Sequence, residues 1–399
     1  MNSQWIKEKD MKSVGDVQSA LKELFAETIQ EMLEGEIEST LGYAKHDTKN
    51  KRTANSRNGH SKKTVRSEYG EVDIQIPRDR EGESEPVIVK KHQSNVTGIE
   101  DQILALYAKG VSTRDIQDHL QQLYGIEVSP TLISNVTNKI VPLIKEWQNR
   151  PLQSVYAVVF LDAIHFKVKQ DGAIVNKAAY MVIGIDLDGH KDVFGMWIGE
   201  NESAKFWLHV LNELKNRGVQ DILITTVDNL RGFTEAISAC YPKSEIQKCV
   251  IHQIHNSIKY VSYKDLKRVT AELKPIYKAP TEQAALEELD QSEQTWGSKY
   301  PLMVRSWRTN WDEIATFFKY PPEIRKLIYT TNVIEIYHRQ LRKVTKGKAV
   351  FPTDDALLKM LYLVTMDVLR KWTGRVHNWG QILMQLPVFF QDRVRPHIR

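Results

Sequence analysis

Two apolar runs, Val155-Tyr-Ala-Val-Val-Phe-Leu161 and Ile222-Leu-Ile-Thr-Thr-Val227, each lead directly into an aspartate, Asp162 and Asp228. Runs of this length, rich in β-branched residues and without polar alternation, predict buried strands. A carboxylate at the end of such a strand is expensive to bury unless something pairs with it. A third acid, Glu335, lies inside a predicted helix, Asn332-Val-Ile-Glu-Ile-Tyr-His-Arg-Gln-Leu-Arg-Lys343. Two strand-end aspartates and a helical glutamate can converge to hold two Mg2+ ions, the oxygen-ligand arrangement with which phosphoryl-transfer enzymes clamp attacking and leaving oxygens.

The chain has 399 residues, enough for two or three domains with a sizeable core. Its two cysteines, Cys240 and Cys249, are too few for a disulfide framework and suit a reducing cytosol. No apolar segment of about 18 residues occurs, so the expectation is a cytoplasmic protein without a membrane span. The net charge of +5 hides an asymmetry. Between Lys45 and Arg66, eight Lys or Arg face the single acid Asp47, which gives that segment +7 and leaves −2 for the rest. Such a stretch reads either as a phosphate-contacting loop, with Arg57, Lys62, Lys63 and Arg66 as its contacts, or as a solvated basic linker.

Ahead of it, residues 16 to 41 place Val17, Leu21, Leu24, Ile29, Leu33, Ile37 and Leu41 at helical spacing among glutamates. An acidic amphipathic helix does not favour DNA, and the expectation is packing against a partner such as a second copy of the chain. A strand is predicted over Glu71 to Pro77, then a helical triplet. Its second helix starts at a capping-box-like Ser112 and Asp115, and its third at Ser129-Pro130. Around the turn Tyr124 to Val128 these two are compatible with a helix-turn-helix-like reader presenting Thr131, Ser134, Asn135, Asn138 and Lys139, and equally with a plain packing module. Strands are expected at 155–161, 178–185 and 193–197 as a meander, then alternating helix and strand, which predicts a mixed α/β sheet flanked by helices. From about His252 to Ile328 the pattern is helical throughout. There Trp307 and Trp311 are i,i+4 neighbours, read either as a buried pair or as a platform for an unpaired base. Cys249 and His252 form a Cys-x-x-His without the further ligands a zinc site needs. Past Asp162, His165 and Lys167 are candidates for phosphate contact.

These signals fall into a set of motifs: Asn55-Ser-Arg-Asn-Gly-His-Ser-Lys-Lys-Thr, Val128-Ser-Pro-Thr-Leu-Ile-Ser, Leu161-Asp-Ala-Ile, Trp197-Ile-Gly-Glu-Asn-Glu, Cys249-Val-Ile-His-Gln-Ile-His-Asn-Ser, Tyr329-Thr-Thr-Asn-Val-Ile-Glu and Arg339-Gln-Leu-Arg-Lys. In this order, over about residues 16 to 390, the chain resembles a bacterial insertion-sequence transposase of the mutator type, a branch of the DDE transposases with a ribonuclease H-like catalytic domain. The resemblance implies that Asp162, Asp228 and Glu335 are the catalytic, metal-holding triad for two Mg2+ ions, with Mn2+ able to substitute. It puts Cys249 and His252 near the active site and Arg339 among the DNA contacts. It implies an α/β ribonuclease H-like mixed sheet over 151–261 and 326–399, with an all-α insertion at 262–325. A mainly helical oligomerisation and DNA-binding region, with the helix-turn-helix-like unit, would occupy 1–150. The partners implied are the terminal inverted repeats of the element, target DNA and at least one further copy of the chain, acting in the bacterial cytoplasm at the nucleoid.

Two positions depart from the family pattern. The usual Gly after the second aspartate is Asn229, which tolerates the left-handed conformation. The usual Ser-Leu-Asn type of triplet after the glutamate is Ile336-Tyr337-His338, expected to pack against the insertion or flanking DNA and away from the metals. These departures keep open a transposase-derived regulator that binds ends without cutting. A nuclease without strand transfer is the other alternative.

Overall fold

The computed structural model describes residues 13–397 apart from 46, 48–50, 52, 68, 83, 85, 87, 90–98, 125–127, 201–202, 231 and 330–331. Lys49 and Arg52 of the basic segment, and the centre of the turn between the second and third helices of the triplet, lie outside the described residues. The chain divides into two compact units, residues 1–139 and 140–399.

In the first unit, helix α1 (Val14–Leu41) starts at a full capping box made by Ser13 and Asp16. Its apolar face packs on a two-stranded antiparallel hairpin, β1 (Arg57–Ser67) with β2 (Gly70–Asp79). Ile29 and Leu33 of the helix share a core with Val65, Val72, Ile74 and Ile76. This corrects the expectation of an external partner for this face: the hairpin of the same chain covers it. It also corrects the loop reading of the basic segment, because residues 57–67 are a strand. Val65 is fully buried on it while Lys62 and Lys63 line its outer part. Three helices complete the unit: α2 (Ile99–Ala108), α3 (Thr113–Tyr124) and α4 (Pro130–Asn138). Ser112 Oγ accepts the Asp115 N–H at 3.1 Å and Ser129 Oγ accepts the Leu132 N–H at 3.1 Å, so both caps form where the sequence puts them.

The second unit opens with α5 (Val141–Asn149) and is built on a five-stranded mixed sheet of β3 (Val155–Gln170), β4 (Ala173–Asp186), β5 (Lys191–Gly199), β6 (Asp221–Val227) and β7 (Glu245–Lys248), in the order β5-β4-β3-β6-β7. β3, β4 and β5 form the antiparallel meander, whereas β6 and β7 add in parallel through helical crossovers. The first three strands run longer than their apolar runs, since β3 pairs with β4 out to Gln170↔Ala173. One face of the sheet is sealed by α6 (Ala204–Asn216) and α7 (Phe233–Cys240). There Trp207 stacks on Phe233 at 4.9 Å and meets Tyr180 edge-on at 5.0 Å.

After α8 (Val250–Ile258) the chain is helical through α9 (Tyr263–Lys278), α10 (Glu282–Trp296), α11 (Pro301–Thr309), α12 (Trp311–Ile314), a 3-10 turn and α13 (Pro322–Ile328). It then returns as α14 (Asn332–Thr345), α15 (Asp354–Lys371), α16 (Trp379–Phe389) and α17 (Gln391–Val394). Trp307 and Trp311 are both buried, and the Trp311 indole N–H donates to Glu282 at 3.0 Å. The base-stacking reading of this pair is therefore overturned: the apolar volume of two indoles is used to hold short helices together.

Where β4 and β5 pair, Gly184 lies under the Phe194 ring, which also packs on Tyr156 at 4.4 Å. A Cβ at 184 would stand 2.0 Å from that ring. Gly184→Ala should lower stability by about 1–3 kcal/mol, as overpacking of a closed core does. A urea midpoint equal to that of the wild type would show that Phe194 has room to move.

Candidate functional site

The parallel pairing of β3 with β6 ends at Leu161↔Val227, and an aspartate follows on each side, Asp162 within β3 and Asp228 just past the end of β6. Side chains alternate across a strand. Leu161 and Val227 point into the core under α6 and α7, which sends both carboxylates to the opposite face, where α14 packs on β3. Asp162 is thus the end of the parallel pairing only, not of its strand, which continues along β4. It is 7% exposed, and its Oδ1 accepts the Ala163 N–H at 2.8 Å. Asp228 is half-buried, and its Oδ1 accepts the Asn229 N–H.

The first turn of α8 meets this edge. Cys249 caps the helix, its N–H donating to the Val227 carbonyl at 2.8 Å, and His252 lies one turn on with Nδ1 3.6 Å from Asp228 Oδ1. Ligand atoms of Asp162, Asp228 and His252 all lie within 4.8 Å of one another. Burial opposes charging of His252, but its hydrogen bond to Cys249 and the charges of Cys249, Asp162 and Asp228 outweigh it and lift the imidazole to about 10. His338 approaches from α14, with Nδ1 3.4 Å from Asp162 Oδ2. Burial, then Arg342 and His252, push this imidazole down to about 3. The contact is accordingly one between a neutral ring and a carboxylate, not an ion pair. His252 Nδ1 and His338 Nε2 are buried without a hydrogen-bond partner. Two carboxylates with an unpartnered imidazole nitrogen beside them fit a divalent cation. A proton on His252 and a cation are alternative ways of balancing the pair.

Glu335 is half-buried in the first turn of α14, and its carboxylate is not part of that three-residue cluster. It lies one turn before His338, and residues three apart share a helix face. For the same reason the expectation for residues 336–338 is corrected. His338 faces Asp162, Tyr337 is buried with its hydroxyl at Thr365 of α15 and at Met196 of β5, and Ile336 alone is exposed. Asn229 does not use the left-handed conformation either, since the non-glycine residues with positive φ among those described are Asp171 and Asn378. Its side-chain amide donates to Gln253 on α8, whose own amide donates to Ser306 on α11 at 2.9 Å.

The candidate DNA contacts divide sharply by their partners. On the hairpin, Arg57 pairs with Glu34 at 2.7 Å, Lys62 with Asp73 at 2.8 Å and Arg66 with Glu71 at 3.1 Å, while Lys63 stands beside them on β1. On α4, Ser134, Asn135 and Asn138 are exposed, as is Lys139 at its C-terminal cap, which is held by Glu100 at 2.6 Å. Arg339 is exposed on α14 together with Arg342 and Lys343, as is Lys346 just past its end, and none of the four forms an ion pair among the described residues. Of that basic face the sequence reading singled out Arg339 alone, although the 3-4-7 spacing of the other three was there to be seen. His165 and Lys167 are exposed, on the face of β3 opposite Asp162.

A family model described as "Transposase, Mutator family" matches residues 1–374. The chain is 44% identical over 341 residues to the transposase for insertion sequence element ISRM3 of Rhizobium meliloti (strain 1021), covering 85% of each protein. To the transposase for IS905 of Lactococcus lactis subsp. lactis (strain IL1403) it is 30% identical over 376 residues, covering 94% of this chain and 96% of that one. Among solved structures, the Drosophila P element transposase strand transfer complex aligns over 72% of this chain and 82% of that chain at 12% identity with a TM-score of 0.29, too low for the fold to be read across.

The geometry sets an order among the acids. Without DNA, Mn2+ at about 100 times its dissociation constant should add about 2.7 kcal/mol of stability. Asp162→Asn and Asp228→Asn should each remove that gain in a thermal melt, and Glu335→Gln should keep most of it. Equal loss from all three would place the glutamate in the cation's shell before any substrate binds.

Proposed function

The chain belongs to the Mutator family of transposases, and from that premise we propose that it cuts and joins DNA as a DDE enzyme, with Asp162, Asp228 and Glu335 as the triad. The observation that carries this reading is the in-register pair of aspartates where the β3–β6 pairing ends. Transposases cleave DNA and transfer strands. The finer reading is Mg2+-dependent cleavage at the terminal inverted repeats of the chain's own element, followed by attack of the freed 3'-hydroxyl on target DNA.

Asp162 and Asp228 would hold two Mg2+ ions, or Mn2+, with Glu335 joining from α14. When bound, the ions supply an activated water or 3'-hydroxyl and neutralise the leaving 3'-oxygen. The chain's own residues do the rest. Burial of Asp162 keeps competing water from its carboxylate, His338 orients it from α14, and His252 with Cys249 fixes the approach of α8 to Asp228. Arg339, Arg342 and Lys343 stand on the outer side of the glutamate's helix, where they would grip the phosphates flanking the cut.

In this reading the mixed sheet is a ribonuclease H-like catalytic domain over 151–261 and 326–399, interrupted by the all-α insertion at 262–325. Residues 1–150 serve oligomerisation and DNA binding, with α3 and α4 as a helix-turn-helix-like reader presenting Ser134, Asn135, Asn138 and Lys139. The exposure of these four side chains supports it. Two element ends must be brought together, so a homodimer is the smallest active assembly, working on the bacterial nucleoid in the cytoplasm. No described helix is long and apolar enough to cross a membrane.

A second reading, an end-binding regulator that no longer cuts, is favoured by one observation: His338 faces Asp162 while the Glu335 carboxylate stands outside the cluster. Incubation with labelled element ends and Mg2+ separates the two. The enzyme yields nicks and strand-transfer products, whereas the regulator yields a bound complex alone. Asp162→Ala, Asp228→Ala and Glu335→Ala should each lower cleavage by several orders of magnitude, with end binding retained in a gel-shift assay. Near wild-type cutting by any of these variants, folded, would remove that residue from the triad.

A further inference from the structure

The aromatic residues of the helical segment that reach solvent are not the tryptophans but two tyrosines at its entrance. Tyr263 is 93% exposed and Tyr260 50% exposed, against 1% and 8% for Trp307 and Trp311. Both follow α8 directly, the helix whose first turn carries His252 into the carboxylate cluster. From His252, the exposed His255 stands one turn on and Lys259 two, so the ridge leaves the site along one helix face. Lys264 and Lys267 follow, exposed, in the first turns of α9. Neither they nor Lys259 forms an ion pair among the described residues, and Lys259 is held only by Asn256 at 2.8 Å. The one acid in this stretch, Asp265, is turned away and consumed by Lys299 and by the Tyr300 hydroxyl at 2.6 Å. What remains is a run of lysines interleaved with two bare phenol rings, beginning at the candidate active site.

A tyrosine left in water loses the hydrophobic gain its ring would find in a core, and each of these two is next to a lysine in the chain, Tyr260 to Lys259 and Tyr263 to Lys264. We propose that this ridge, Lys259, Tyr260, Tyr263, Lys264 and Lys267, binds a single DNA strand next to the scissile phosphate, the lysines on phosphates and the two rings stacked on unpaired bases. Paired bases in a duplex hide their faces, so the stacking partners are nucleotides separated from their complement. The path from His252 to Lys259 rises about 10 Å along the helix, the rise of about three stacked nucleotides. The rings therefore meet bases roughly three or more nucleotides from the cut. The proposal rests on the catalytic reading above for its choice of strand. Strand transfer needs the freed 3'-hydroxyl held in place at the next phosphate, and this ridge would hold the strand beside it where that strand is unpaired.

The test uses the full chain and a DNA duplex that carries the element's terminal inverted repeat and an unpaired flank, with 2-aminopurine at positions three to five nucleotides from the cut. Binding should quench the fluorophore in the wild type and in Tyr260→Phe/Tyr263→Phe, which keeps both rings. Tyr260→Leu/Tyr263→Leu should lose the quench and bind the unpaired flank about tenfold more weakly for each stack removed. The fully paired version of the same duplex should bind both variants alike. The exposure of both side chains makes unfolding an inadequate explanation of a loss, and a thermal melt checks it. Wild-type quenching by a protein that never cuts supports the ridge and overturns the catalytic reading. Cutting by a leucine variant that quenches and binds like the wild type overturns the ridge. A leucine variant altered only in its oligomeric state overturns it too, and makes the surface a protein interface.

Discussion

Two carboxylates on adjacent parallel strands stand about 4.8 Å apart along the hydrogen-bonding direction, a spacing at which like charges oppose each other strongly once water is excluded. Asp162 and Asp228 are brought there by the register of β3 against β6, where the Ala163 and Asn229 N–H groups donate to them without adding a countercharge. Relief arrives from two helices that meet the sheet at this point. α8 is anchored through the Cys249 N–H to the last carbonyl of β6 and brings an imidazole whose pKa Cys249 first and the two acids after it raise. α14 lies over β3 and brings a second imidazole that burial holds neutral. The asymmetry of the two histidines follows from which effect wins at each: burial dominates at His338, with Arg342 and His252 adding to it, whereas Cys249 and both aspartates outweigh burial at His252.

The helical segment between α8 and α14 is bolted to the same edge of the sheet. Lys248 of β7 reaches Asn310 at 2.8 Å and also pairs with Glu313, while buried Gln247 donates to the Ile314 carbonyl at 2.9 Å. Asn229, directly after the second aspartate, joins this attachment through Gln253 to Ser306. A residue that looks like a departure from a family pattern thus has a physical task, tying the loop of the active site to α11. Buried hydrogen-bonded amides of this kind fix one arrangement, because leaving either partner unmet costs a desolvated polar group.

Charge is arranged in the chain with the same economy. The acidic glutamates of α1 and the cations of β1 were opposite extremes along the sequence, and folding sets them against each other: Glu34 alone faces Arg57, Lys45 and His60. Exposed pairs of this kind contribute little stability, but they spend positive charge that a phosphate backbone would otherwise meet. Arg339, Arg342 and Lys343 on α14 and Lys264 and Lys267 at the start of α9 form no ion pair among the described residues, and they lie in the unit that holds the carboxylates.

Local patterns were legible wherever one stretch of chain determines its own structure. The apolar runs before Asp162 and Asp228, the serine caps at 112 and 129 and the helical spacing of 332–343 all depend on neighbours within a turn or a strand, and all appear in the fold. The mixed character of the sheet followed too, since a meander followed by helix-linked strands has few other ways to pair. What a side chain faces across the fold was not legible. The sequence offered Asp162, Asp228 and Glu335 as one set, whereas His252 stands in the described cluster and Glu335 a turn away, because the rotation of α14 over β3 is set by Tyr337 packing on Thr365 and Met196. It offered Trp307 and Trp311 to solvent as readily as to the core, and the helices closed over them while leaving Tyr263 bare. Residue type and spacing fix which groups are available and on which face of an element they lie. Which faces meet is decided by packing between elements far apart in sequence, and only the tertiary structure carries that choice.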